Sequence, residues 1–132
     1  MKDIKLLFLL IFLSFSVCSQ TDSMMVKNAS GKTLKRLGKN ALLQNDPSSA
    51  ITFFEAYVRN NRNDAASMYL LGHAYLKVRD YDRAQHMFLN AYTTNKEKAP
   101  EALYFHAQMQ KSNGLYDSAK VNFEKFKKEY KG

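Results

Sequence analysis

Leu37-Gly38, Leu71-Gly72 and His106-Ala107 recur at spacings of 34 and 35 residues, and Ala50, Ala84 and Ala119 keep the same two spacings, each followed four residues later by Phe54, Phe88 or Phe123. A fixed period near 34 residues constrains the chain to a linear stack of alike units. One such unit cannot bury its apolar face alone, so neighbours must pack against each other, building a continuous core and leaving an extended surface for partners. The expected fold class is all-α, a solenoid of three helix pairs. No segment alternates with period two, which leaves no candidate strand.

The middle unit carries the fullest pattern. It reads Met68-x-x-Leu71-Gly72-x-x-Tyr75 and then Ala84-x-x-x-Phe88, which resembles the tetratricopeptide repeat, with a small residue after Leu and an Ala and a Phe in the second helix. Gly72 and Ala84 fall where paired helices approach closely, and Leu71, Tyr75 and Phe88 fill the space beside them. The first unit keeps Leu34, Leu37-Gly38, Ala41, Ala50 and Phe54. The third departs further, with Leu103, His106-Ala107 and Gln110 before Ala119 and Phe123. The resemblance implies a right-handed superhelix.

Turn chemistry divides the chain at matching places. Asp46 before Pro47 is an N-cap followed by proline at the first helical position, where the missing N–H costs nothing. Asp64 and Asp80 can cap the next two helices, Pro100 is expected to open the fifth, and Gly114 after Asn113 supplies a left-handed stop before the sixth. Helices are expected at about 31–44, 47–61, 65–78, 81–94, 100–113 and 116–130. The domain then occupies 31–132, in units of about 31–64, 65–98 and 100–132, preceded by a flexible lead-in over 20–30 that is polar and without period.

The N-terminus is of another kind. Met1 to Lys5 is positively charged, and Leu6 to Val17 is a run of 12 residues, apolar apart from Ser14 and Ser16, before Cys18-Ser19-Gln20. That order is the pattern of a secretory signal peptide over residues 1–19, with Val17 and Ser19 at the small-residue positions and Gln20 as the mature end. As a helix the run spans about 18 Å, short of the ~30 Å hydrocarbon layer. The rival expectation is a lipoprotein anchored through Cys18, which Phe15 and Val17 suit poorly. Cys18 is the single cysteine, so the repeat region needs no disulfide.

Charge narrows the partner class. The chain carries a formal +8, and since residues 1–19 hold Lys2 and Lys5 against Asp3, their removal leaves +7. Long-range attraction then favours acidic partners. Lys32, Lys35, Arg36 and Lys39 lie at i, i+3, i+4 and i+7, on one face of the first helix. In tetratricopeptide arrays the first helices of the units line a concave groove. The resemblance therefore implies a partner-binding groove of Lys35 and Lys39, then Tyr69 and His73, then Tyr104 and Gln108, with Lys77 and Lys111 near the far ends of their helices. Basic at one end and aromatic in the middle, it suits an acidic protein segment with an apolar or aromatic anchor, the ionic contacts adding specificity and rate more than affinity. A solvated lysine face accounts for the first helix equally well. The asparagine-and-base clamp that binds terminal carboxylates in some repeats is not reproduced by Tyr69 and His73.

Nothing in the chain points to catalysis. His106 stands where the repeat usually has Leu, as a packed, hydrogen-bonded histidine does. His73 and His86 fall on different helices with no Cys, Asp or Glu at metal-ligand spacing, so neither a metal nor a cofactor is expected. Nucleic acid is disfavoured as a partner, because Glu124 and Glu129 interleave Lys125, Lys127, Lys128 and Lys131.

The last helix bears Val121, Phe123, Phe126 and Tyr130 at helical spacing with no polar helix after it, so a second copy, another protein or a domain lost from a truncated gene is expected to cover that edge. The stretch Ala99 to Phe105, with Ala107 to Gly114 and Tyr116 to Lys120, is similar to the N-terminal repeat region of Bacteroidetes envelope proteins of the OmpA family, the PorE-like components of type IX secretion and gliding. That resemblance implies a non-catalytic scaffold, exported to the periplasm or outer membrane. The alternative is a module for anionic glycan such as peptidoglycan, or for lipid at the envelope.

Overall fold

The computed structural model describes residues 24–130; residues 1–23, and with them the signal peptide and Cys18, lie outside the described part, as do 131 and 132. Six principal helices follow one another: α1 (Gly31–Leu43), α2 (Pro47–Asn60), α3 (Ala65–Lys77), α4 (Tyr81–Thr94), α5 (Ala102–Ser112) and α6 (Tyr116–Glu129). Among the described residues there is no strand. Each helix packs on the next in order, and α1 also meets α3. The molecule is an all-α, tetratricopeptide-like solenoid of three helix pairs.

The pairs close on a repeated turn. Asn45, Arg79 and Gly114 all take left-handed backbone, with φ of 56°, 62° and 78°. The next residue in each case donates its N–H back into the preceding helix, Asp46 to the Ala41 carbonyl (2.9 Å), Asp80 to Tyr75 (3.0 Å) and Leu115 to Gln110 (2.8 Å). This is the Schellman arrangement that satisfies the orphan carbonyls at a helix end. Asp46 and Asp80 then cap the second helices, accepting the N–H of Ser49 (3.1 Å) and Arg83 (3.0 Å). Asp64 does the same for α3 through Ser67 (3.0 Å).

Three details differ from the sequence expectation. Pro100 does not open α5: Ala99, Pro100 and Glu101 form a turn in which the Ala102 N–H reaches the Ala99 carbonyl (3.1 Å), and the helix starts at Ala102 with no side-chain cap. Ala99 and Ala102 are both buried, so burying this corner under α3 and α4 outweighs the preference of proline for the first helical position. Residues 24–28, expected as irregular lead-in, are helical; Met24 to Asn28 contains neither glycine nor proline. Ser30, unassigned from sequence, caps α1 by accepting the Thr33 N–H at 3.3 Å.

The main core runs through the first five helices, with a second cluster of Ala65, Met68, Ala91, Ala99 and Ala102 beside it. Ala41, Ala50, Phe54, Leu71, Ala74, Tyr75, Ala84, Phe88 and Met109 form one buried cluster drawn from α1 to α5. Phe54 and Phe88 are fully buried. They lie over Gly38 and Gly72: a Cβ at either glycine would come within 2.9 Å of the Phe54 ring or 2.8 Å of the Phe88 ring. That contact is the physical content of the recurring Leu-Gly and Ala-x-x-x-Phe signatures.

Candidate functional site: the face of the first helices

The face to be tested is built by α1, α3 and α5, the first helix of each pair. At its α1 end, the Lys35 ammonium lies 2.6 Å from Asp64 Oδ2. Asp64 also accepts hydrogen bonds from the Tyr57 hydroxyl (2.9 Å) and the Ser67 hydroxyl (3.0 Å). Burial alone would raise this carboxyl, but the bonds from Lys35, the Ser67 backbone, Tyr57 and the Ser67 hydroxyl overrule it and hold it at about 2. The hydrogen bond to Asp64 raises Lys35 in turn. Lys35 thus ties α1 to the start of α3, whereas Lys39, one turn on, is exposed.

The middle is aromatic and partly closed. The Tyr69 and His73 rings meet edge-on at 4.6 Å. Phe105, projecting from α5, lies 5.8 Å from Tyr69, 4.5 Å from His73 and 5.2 Å from Phe88, stacked on Phe88 at 26°. Such edge-to-face and offset contacts favour fixed ring geometry beyond simple area burial. Both groove candidates on α3 are therefore half-buried in the seam between two repeats. Burial, aided by Lys77, lowers the His73 pKa and keeps the ring neutral. Burial, with Glu101 nearby, raises Tyr69.

On α5, Tyr104 points away from Tyr69 toward α6, 5.4 Å from Phe123 and 5.6 Å from Phe126. Gln108 is half-buried and Lys111 exposed. Lys77 donates to Asn45 Oδ1 at 2.9 Å, bridging the first two turns. Tyr69 and His73 are thus brought together, Tyr104 joins them only through Phe105 at 5.6 Å, and Lys35 is engaged with Asp64.

Sequence reasoning did not single out Phe105, which occupies no signature position of the repeat, although an aromatic beside Tyr104 was a signal available to it. Nor did it find the clasp of α2, α3 and α4, in which the Tyr75 hydroxyl donates to Glu55 Oε1 and Arg83 stacks 4.5 Å over the Tyr75 ring while meeting Glu55 at 3.5 Å. Burial first, and then Glu55, push Tyr75 up, so it stays a neutral donor. Among the described residues no three His, Cys, Asp or Glu side chains could hold a metal ion together.

Two hollows flank the face. One, of about 600 Å³, is polar and lined by Lys35, Asn60, Arg62, Asn63, Asn95 and Lys98 among others. The second, of about 390 Å³, is more apolar and includes Tyr92, Leu103, Phe126 and Tyr130.

The comparison with known families decides the middle unit. Residues 65–98 form a tetratricopeptide repeat. The match runs from the start of α3 through α4 to the turn before α5, the unit whose signature is fullest. Tetratricopeptide repeats are generally protein-interaction modules and typically non-catalytic. No curated protein matches the chain.

Proposed function

We propose that this chain is a non-catalytic scaffold that binds a protein partner along the face of α1, α3 and α5. The observation that carries the proposal is the register of that face. The tetratricopeptide repeat at 65–98 sits between exposed cations, Lys39 on one side and Lys111 on the other, with the Tyr69–His73–Phe105 seam between them. Such an arrangement suits an extended acidic segment carrying an apolar or aromatic anchor, drawn in by charge and held by ring contact. The test is a fluorescein-labelled peptide of alternating Glu and Phe, titrated by anisotropy. Reversing both exposed lysines, Lys39→Glu with Lys111→Glu, should slow association and flatten its salt dependence at unchanged helical circular dichroism. Unaltered kinetics would move the site elsewhere.

The same proposal places the scaffold in a bacterial envelope, exported by residues 1–19, and allows a role in a type IX secretion or gliding assembly. The leader pattern and the likeness of residues 99–120 support this setting. Mass spectrometry of the N-terminus after expression with its leader tests it, Gln20 as first residue meaning cleavage and a lipidated Cys18 meaning an anchor. No helix among the described residues is long and apolar enough to cross a membrane.

A second reading is favoured by the polar hollow at the α2–α3 and α4–α5 turns. Arg62 and Lys98, with several asparagines beside the paired Lys35 and Asp64, form a lining suited to an anionic glycan. Salt-sensitive sedimentation with peptidoglycan or anionic vesicles, lost in Arg62→Glu with Lys98→Glu, would establish that reading over the first.

A further inference from the structure

The second and third repeats hold the same aromatic pair in the same pose, but among the described residues only the pair of the second repeat receives a ring from the next helix. Tyr69 and Phe88 meet at 5.7 Å and 61°, and their counterparts 35 residues on, Tyr104 and Phe123, meet at 5.4 Å and 61°. In the second repeat Phe105 descends from the next helix onto that pair, and Phe88 is completely buried. In the third repeat Phe126 of α6 itself lies 5.6 Å from Tyr104, and no following helix among the described residues lays a ring on Phe123 as Phe105 does on Phe88. Tyr104 remains 37% exposed and Phe123 is only half-buried. Gln108 takes the place of His73, giving the open pair a hydrogen-bonding neighbour where the covered one has a third ring.

We propose that the open face of the third repeat is a preformed socket for an amphipathic helix of a partner protein, which delivers an aromatic side chain onto Tyr104 and Phe123 as Phe105 does onto Tyr69 and Phe88. Charge specifies the flanks of that helix. Lys111, Lys120 and Lys127 stand exposed on α5 and α6, so acidic residues beside the aromatic anchor are complementary. A second copy of the chain is a poorer occupant, since each copy carries +8 and the chain's other end presents Lys32, Arg36 and Lys39 with no acidic residue in α1. The socket shares Lys111 with the groove under Proposed function but stands without it, because a helix docking end-on reads out at Tyr104 and Phe123 and not at Lys39.

The test uses a helix-stapled peptide with the sequence 99–113, which already fits the equivalent face of the second repeat, carrying Lys111→Glu to match the basic surround. Titrated into the full chain labelled with nitrogen-15, it should shift the amides around Tyr104, Gln108 and Phe123. The same peptide with alanine in place of its Phe105 should bind about tenfold more weakly or worse, as loss of an aromatic anchor does. Tyr104→Ala in the protein, a truncation at a partly exposed ring, should weaken binding comparably at unchanged circular dichroism; Phe123→Ala provides a second variant with its melting curve as control. Equal affinity of the alanine peptide would overturn the proposal. So would shifts confined to Tyr69 and Phe88, which would mean exchange with α5 itself, or sedimentation showing a dimer whose formation blocks the peptide.

Discussion

Gly72 shows how narrowly a single position is set. Alanine there would gain roughly 1 kcal/mol in helix propensity, yet its Cβ would stand 2.8 Å from the ring of Phe88. Phe88 has no exposed edge along which to withdraw, and overpacking of that kind costs about 1–3 kcal/mol. Gly72→Ala is therefore expected to destabilise by up to about 2 kcal/mol, seen as a lower urea midpoint at unchanged slope; a higher midpoint would mean that the ring yields freely. Arg79 offers the opposite case. Its φ of 62° is left-handed, a conformation costing a non-glycine residue about 1 kcal/mol, and Gly114 fills the equivalent place in the third repeat. Arg79→Gly should leave stability unchanged or raise it by about 0.5 kcal/mol, the strain relieved being partly offset by the freer unfolded chain. A clear loss in the thermal midpoint would contradict this.

At the scale of elements, Asp64 joins what would otherwise be separate pieces. It caps α3 while receiving Lys35 from α1 and Tyr57 from α2. Its replacement by alanine removes the cap and both long-range partners, so Asp64→Ala should cost about 1–2 kcal/mol and speed hydrogen exchange in the first turn of α3. Because its folded pKa is lowered from 3.8 to about 2, the stability it lends is complete above pH 4 and disappears as pH falls toward 2. An acid-unfolding midpoint unchanged in the variant would refute this assignment. The cap itself was legible, since an Asp before a helical run identifies its own position. Lys35 as its partner was not: the two are 29 residues apart, and helical spacing specifies a face without naming what the face touches. Likewise Gly72 and Phe88 announce themselves through recurrence, whereas Phe105 has no counterpart in the pattern and acquires its part only when α5 is laid against α3. The register of the six helices follows from local rules, and Pro100 failed as a helix start because burial of Ala99 and Ala102 is a tertiary effect.

For the molecule as a whole, two histidines couple stacking to pH. His106 is buried, its Nδ1 3.1 Å from the Gln85 carbonyl on α4. Burial is the main cause of its lowered pKa, the hydrogen bond to Gln85 opposing and His86 assisting. His73 is lowered for the same first reason. Below about pH 6.5 the unfolded chain takes up protons that these rings refuse while packed, so stability falls as pH drops through that value. Urea midpoints at pH 7.5 and 5.5 should show the decline, and His106→Leu, which restores the usual residue of the repeat, should reduce it; an identical decline in the variant would exclude His106 as a source. Both the groove and the socket depend on the second and third repeats being held in one register by the seam at Phe105. The direct measurement is a nuclear Overhauser spectrum of the full chain with labelled aromatic rings. Cross-peaks from Phe105 to Tyr69, His73 and Phe88 together are the expected result, and a Phe105 ring showing contacts only within α5 and α6 would contradict the account.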